Sequence, residues 1–187
     1  MVKTVVLAGT VAWVSVVGVS AGGRALLDHT KAQVAMEKEA IAMVAQVEEV
    51  ARDVSYHADR LLQLAQTFGV SRWSHYHHLD EIKALVNDGL RPALQKLTDV
   101  QAQLPEWKQG AIDQMVADAQ RLANDTNSAY LAKSGGGGLP TAMNQEYKQF
   151  VTDVAAHAAA LTKTADAAHA FAEGHLKAAE AGLKVTS

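Results

Sequence analysis

The sequence predicts an all-α protein, namely an antiparallel up-down-up-down four-helix bundle with an elongated first helix. Apolar residues recur at heptad spacing over several long segments. Hydrophobic residues make up 49% of the 187 residues but aromatic residues only 5%, a balance that suits closely packed helices better than a sheet. The connections between the periodic segments are short, which makes consecutive helices antiparallel neighbours.

The first helix is predicted from about Leu26 to Phe68. Its apolar stripe advances in alternating steps of three and four residues, as in a coiled coil. Gly69 follows, and glycine readily takes the left-handed conformation that ends a helix. The stripe consists of Val44, Val47, Ala51, Val54, Ala58, Leu61, Ala65 and Phe68.

The second helix has its apolar positions between Leu79 and Leu104. Ser74 is predicted to cap its start by accepting a hydrogen bond from the backbone of His77. Pro92 lacks a backbone N–H and clashes with the carbonyl group of the preceding turn, which predicts a kink near Gly89.

The third helix is predicted to begin at Pro105 and to fade by Ala132, where a flexible glycine loop over residues 134–140 follows. Thr141 is predicted to cap the fourth helix, which should fray from Gly174. The fourth apolar stripe consists of Tyr147, Phe150, Val154, Ala158, Leu161, Ala165, Ala168 and Ala172.

The predicted helices differ in length, since the first spans roughly 60 Å and the second roughly 45 Å at about 1.5 Å per residue. Residues 26–40, called the N-terminal stem, should then extend beyond the bundle, accompanied only by the end of the fourth helix, and they carry Leu26, Leu27, Val34 and Met36. Such an apolar surface predicts a homo-oligomer formed through the N-terminal helix, and a contact that does not close would give filaments.

The first 21 residues have the pattern of a secretory signal peptide. Lys3 precedes an uncharged apolar run, and Val19 and Ala21 are the small residues of a cleavage site. We therefore predict export, to the periplasm or out of the cell, with residues 22–187 as a single domain. The alternative is an uncleaved apolar anchor helix over residues 4–21, the only case in which membrane association is expected.

Charge and cysteine content narrow the function classes further. The net charge is −3 and no basic cluster occurs, so nucleic acid is not an expected partner. The sequence contains no cysteine, which excludes disulfides, thiol catalysis and iron–sulfur clusters.

The stretch RWSHYHHLD, residues 72–80, contains His75, His77 and His78. His75 and His78 share one side of the helix with Glu81, and two imidazoles with a carboxylate can bind zinc, copper or nickel. One helix rarely supplies a closed set of ligands, however, so we favour a solvated polar helix start. Metal binding by these histidines stays open.

The remaining histidines predict no haem site in the core. His57 and His157 fall at different heights along the predicted bundle, and His29 and His175 lie near helix ends. Asp166 and His169 are a single weak analogue of the Glu-x-x-His motif of di-iron bundles.

The HExxH motif of zinc proteases and the P-loop of nucleotide-binding proteins are absent from the sequence. The acidic pairs Glu37/Glu39 and Glu48/Glu49 lie off the apolar stripe and are predicted to be solvated. We predict no enzyme, no catalytic residue, no cofactor and no metal ligand.

Three segments carry a resemblance to a known kind of protein: WSHYHHLDEIKALVND (73–88), PEWKQGAIDQMVADAQRLANDTNSAYL (105–131) and EYKQFVTDVAAHAAAL (146–161). Together they resemble a family of small exported α-helical proteins of acidobacterial type, over roughly residues 45–165. The resemblance implies export and a helical bundle, and it implies no activity. The chain departs from the family pattern in His77, His78 and the glycine loop.

The sequence therefore predicts an exported, non-enzymatic helical-bundle protein with a structural, self-assembly or partner-binding role in the cell envelope or outside the cell. The alternative is a helical bundle that binds a metal or haem through histidines.

Overall fold

The computed structural model describes residues 22–102, 104, 106–135 and 144–185, and it confirms the all-α class. No strand occurs in these ranges. Contacts divide the chain between Gln33 and Val34, so the side chains discussed below belong to the unit that begins at Val34. The predicted signal peptide lies outside the described residues.

The described chain forms four helical segments. The second segment is one continuous helix with a π-helical part in its middle, because the backbone angles stay right-handed and helical at both junctions, at Ala84 and Leu85 and again at Leu90 and Arg91. The elements are α1 (Gly22–Gln66), α2 (Arg72–Ala84), the π-helix (Leu85–Leu90), α3 (Arg91–Gln101), α4 (Glu106–Gly135) and α5 (Gln145–Val185). None of these helices is both long and apolar enough to cross a bilayer.

The last helix is longer than predicted, because α5 continues to Val185 instead of fraying from Gly174. Helix α1 has 45 residues and α5 has 41, so these two helices are nearly equal in length. The three parts of the second helical segment have 13, 6 and 11 residues, so the predicted difference in length between the first and second helices holds.

The helix ends correct several predictions. Gly69 takes the expected left-handed conformation, with a φ of +78°, in the turn after α1, which ends at Gln66 and not at the predicted Phe68. The cap of α2 is Ser71, whose hydroxyl accepts a hydrogen bond from the Ser74 backbone, so Ser74 is not the cap. Helix α4 includes residues 134 and 135, which were predicted to be loop, while Pro105, residues 136–140 and Thr141 lie outside the described residues.

The α5 helix is capped by Asn144, whose side-chain oxygen accepts a hydrogen bond from the backbone N–H of Tyr147 at 3.0 Å. The Asn144 amide group also donates to the carbonyl oxygen of Ala132 at 3.1 Å. One side chain thus satisfies an orphan donor at the start of α5 and fixes that start to the end of α4.

The core follows the predicted stripes closely. In the first and fourth apolar stripes two positions are wrong: Phe68 is 71% exposed, because α1 already ends at Gln66, and Phe150 is only half-buried, while its neighbour Val151 is fully buried. The fully buried side chains with the largest volumes are Tyr147, Leu61, Leu79, Ile82, Leu90, Leu97, Ile112, Met115, Leu122 and Leu161.

The predicted disturbance near Gly89 is a six-residue π-helix, and the helix continues through it. The backbone N–H of Arg91 donates to the carbonyl oxygen of Val86, five residues earlier. This wider turn lies directly before Pro92, which cannot donate an ordinary helical hydrogen bond. A Cβ atom added to Gly89 would lie 2.8 Å from Val50 Cγ1, so Gly89 allows close approach of α1.

Polar contacts between the helices follow a consistent order, since residue numbers rise along one helix as they fall along its neighbour. Between α1 and α5 the contacts are Glu48–His169, Arg52–Asp166 and Ser55–Thr162. Between α4 and α5 they are Asp125–His157 and Ala132–Asn144. Between the second helical segment and α4 they are Tyr76–Ser134 and Gln101–Asp113.

Candidate functional site

The start of α2 carries the candidate site, and its local sequence explains how it is built. Gly69 turns the chain, Ser71 caps the helix, and the histidines therefore fall within the first two turns of α2. His75 lies four residues before Leu79, which places its side chain on the buried face of the helix.

His75 is fully buried, so the prediction that it belongs to a solvated helix start is wrong. Its Nδ1 atom lies 2.9 Å from the Tyr147 hydroxyl of α5, and the two rings meet edge to face. Its Nε2 atom has no hydrogen-bond partner in the part of the chain that the structure describes. The hydrogen bond joins the beginnings of α2 and α5.

Burial determines the charge state of this buried pair. It lowers the pKa of His75 from 6.5 to about 4, with smaller contributions from Lys133 and His78. Burial also raises the pKa of Tyr147 and lowers that of Lys133, whose ammonium group lies 5.2 Å from the centre of the Tyr147 ring. The imidazole and the phenol are therefore both neutral at pH 7, and their hydrogen bond is part of the core.

The other two histidines of α2 face the surface and meet a histidine of α1. His57 Nδ1 lies 3.0 Å from His78 Nδ1, and both rings are half-buried. The His77 ring is exposed and lies 5.2 Å from that of His78. We call His57, His77 and His78 the surface histidine cluster.

Two aromatic residues flank the surface histidine cluster. The exposed Trp73 ring stacks on His77 with an angle of 4° between the ring planes and 5.5 Å between centres. On the other side, the Tyr56 ring meets His57 edge to face, and the Arg60 guanidinium lies 5.6 Å from the Tyr56 ring centre. The ring contacts thus run without a break from α1 to α2.

The pKa of His78 is lowered, first by burial and then by the neighbouring His57, His77 and Arg60, while Glu81 acts in the opposite direction. Partial burial removes water from the imidazolium form, and a second cation nearby would repel it. The structure therefore favours a neutral His78 ring at neutral pH.

The predicted stripe of His75, His78 and Glu81 does not form one site. His75 points into the core, His78 meets His57, and the Glu81 carboxylate lies 3.9 Å from His77 Nδ1. Within the described residues, no group of three or more His, Cys, Asp or Glu side chains is placed to hold a metal ion.

The remaining histidines each have a carboxylate partner or lie outside the site. His157 Nδ1 lies 2.6 Å from Asp125, and His169 Nδ1 lies 2.5 Å from Glu48. Because Glu48 is buried and also pairs with Arg52, the prediction that it is solvated is wrong; Glu49 is exposed as predicted. Nothing is described of the His29 side chain.

Glu37 and the two residues of the Asp-x-x-His analogue form polar contacts between helices. Glu37 is partly buried and lies 3.4 Å from the ammonium group of the buried Lys108, whereas Glu39 is exposed. Asp166 binds Arg52 while His169 binds Glu48, so the two residues of the analogue face different partners.

The core has little room for a ligand at its other end. An apolar cavity of about 20 Å³ lies among Ala40, Val44, Leu97, Leu104 and Met115. This volume suffices for about one water molecule and is far too small for a haem.

No protein-family model, no curated protein and no solved structure matches this chain. The resemblance to exported acidobacterial-type helical proteins stays a prediction. The interpretation of the candidate site rests on the contacts described above.

Sequence reasoning missed both cross-helix contacts of this site. His75 continues the spacing of Leu79, Ile82 and Val86, a signal that places it on the buried stripe. The approach of His57 to His78 has no comparable local signal, because it depends on the register between α1 and α2.

Proposed function

We propose that this protein is an exported, non-enzymatic helical-bundle protein with a structural, self-assembly or partner-binding role in the cell envelope or outside the cell. The four helical segments are proposed to run up-down-up-down. The reversed order of residue numbers in each pair of contacting helices supports this arrangement.

The observation that carries the partner-binding role is the surface of rings beside the turn between α1 and α2. Trp73 is 73% exposed and Tyr56 is 56% exposed, and His57 and His77 connect them. Exposed Phe68 lies in the turn itself. Tryptophan and tyrosine are typical anchors of protein interfaces, since they offer a large rigid contact area with a polar edge.

The core supports a structural role for the rest of the molecule. The Thr162 hydroxyl group donates to the carbonyl oxygen of Ala51 at 3.1 Å, so α1 and α5 approach closely beside the buried alanines Ala51 and Ala158. The buried or half-buried polar pairs between these helices fix their register, since a shift would leave charged groups unpaired. A rigid bundle of this kind holds the exposed rings in a fixed arrangement.

The experiment that tests this function is site-specific photo-crosslinking in the native host. A photoreactive amino acid at position 73 should give a discrete crosslinked product in the envelope or culture medium, identified by mass spectrometry. Position 131 is the matched control, because Leu131 is equally exposed, at 71%, and lies outside the ring surface. Equal or absent crosslinking at the two positions would reject the ring surface as the binding face.

A further inference from the structure

The surface histidine cluster brings two imidazole nitrogens from different helices to within bonding distance of a common point. His57 Nδ1 and His78 Nδ1 are 3.0 Å apart. The residues that follow them, Ala58 and Leu79, are fully buried, so the core fixes both backbones. The two ring nitrogens are thus brought together by the packing of α1 on α2.

This separation matches two ligands of one transition-metal ion. At a metal–nitrogen distance of about 2.0–2.1 Å, ligands at right angles are about 2.9 Å apart and tetrahedral ligands about 3.4 Å apart. The observed 3.0 Å is closer to the right-angled value. Square-planar or tetragonal coordination by nitrogen and oxygen is the geometry that Cu²⁺ and Ni²⁺ prefer.

The surroundings of the two rings allow a metal to enter. Both histidines are half-buried, so neither is enclosed in the core. In the absence of metal, one ring can donate its Nδ1 proton to the other, and a bound metal would replace this hydrogen bond.

We propose that His57 and His78 are the two protein ligands of a surface site for a divalent transition metal of tetragonal preference, foremost Cu²⁺. Copper leads the divalent series in affinity for nitrogen ligands. Water supplies the remaining positions, in keeping with the lack of a third placed donor among the described residues. His77 stacks on Trp73 and is not a ligand. The site requires only the packing of α1 on α2, so it stands or fails independently of partner binding.

Titration of the full chain with CuSO₄, followed by calorimetry, tests the site. His57→Gln and His78→Gln should each weaken Cu²⁺ binding at least tenfold, while His77→Gln and the control His175→Gln leave it within twofold. Binding unchanged in both ligand variants would overturn the proposal, and so would a loss in His77→Gln equal to that in His78→Gln. Far-UV circular dichroism of each variant checks that the helices are retained.

A second measurement needs no variant. Electron paramagnetic resonance of the wild-type chain with one equivalent of Cu²⁺ should show coupling to two equatorial imidazole nitrogens. The spectrum of hydrated Cu²⁺, or coupling to a single imidazole, would overturn the assignment even if a variant fails to fold.

Discussion

His75 Nδ1 lies 2.9 Å from the hydroxyl group of Tyr147, and both side chains are fully buried. The two residues are 72 positions apart in the sequence, so their hydrogen bond fixes α2 against α5. A neutral pair of this kind stabilises the fold only while both partners are present, because a buried polar atom without a partner is costly.

Tyr147→Phe should lower the free energy of unfolding by about 1–3 kcal/mol, since it leaves the buried imidazole without its partner. Urea denaturation followed by circular dichroism measures the change. Tyr56→Phe is the control, because Tyr56 is exposed, and its effect should stay within about 0.5 kcal/mol. Equal effects of the two substitutions would contradict a stabilising role for the buried hydrogen bond.

Stability should fall as the pH falls from about 6.5 to about 4, the range between the ordinary pKa of His75 and its lowered value. In this range the unfolded chain binds a proton at position 75 that the folded protein excludes, so acid favours unfolding. The difference between the two pKa values corresponds to about 3 kcal/mol in the free energy of unfolding. This contribution is present in full above pH 6.5 and is lost completely only below pH 4.

Urea unfolding of the wild type and His75→Gln at several pH values measures this contribution as the difference between the two curves. The titration of the carboxylates changes the free energy of unfolding equally in both proteins, so it cancels in the difference. Parallel curves between pH 4 and 6.5 would show that His75 is not the group responsible.

Gly89→Ala should destabilise the protein by about 1–3 kcal/mol, because the new methyl group would lie 2.8 Å from Val50 Cγ1 and a helical valine strongly prefers a single rotamer. Gly110→Ala in α4 is the matched control, since no atom lies within 4 Å of its added Cβ. That substitution should stabilise the helix by about 0.5–1 kcal/mol. Chemical denaturation measures the free energy of unfolding of each variant. If both substitutions stabilise the protein, α1 and the π-helix do not pack as closely as described.

The sequence predicts the helical class and most of the core because periodicity reports directly on which face of a helix is buried. Ala58, Leu61 and Leu161 are all fully buried at predicted positions. Val151 replaces Phe150 in the core, a shift of one residue that the neighbouring helices decide. Helix α5 passes Gly174 without fraying, since one glycine costs a long helix only about 1 kcal/mol relative to alanine.

The polar contacts were much less predictable from the sequence. Glu48 looked solvated because it is charged, yet it lies beside the apolar stripe and is buried against His169. A charged side chain beside an apolar stripe can be buried when a hydrogen-bonding partner lies on the facing helix. For Glu48 this partner is His169, which is 121 residues away in the sequence. The same applies to His57 and His78, whose approach depends on the register between α1 and α2.

Export can be tested by the N-terminus of the protein isolated from its native host. If residues 1–21 are a signal peptide, Edman sequencing of the exported protein should begin at or next to Gly22. Substituting Ala21 by Gln should block cleavage, while Ser20→Gln, between the two recognised positions, serves as the control. An intact Met1 in the membrane fraction would show that residues 4–21 act as an anchor.

Self-association through the start of α1 is the last prediction. Leu26 and Leu27 belong to the helix, and burying each such side chain is worth roughly 1.5–3 kcal/mol, which favours covering them with a second copy. The exported chain should therefore exceed the monomer mass in light scattering at micromolar concentration. The double variant Leu26→Ser, Leu27→Ser should return it to the monomer, and Thr30→Ser should not.

A deletion within α1 can also test self-association, provided that it leaves the core intact. Ala40 is buried and Glu37 pairs with Lys108, so removing residues 22–40 would damage the folded unit, whereas removing residues 22–33 ends at its boundary. The shorter deletion should yield a monomer of unchanged helical character per residue. A monomeric exported chain, or an oligomer that survives this deletion, would show that the N-terminal helix does not mediate assembly.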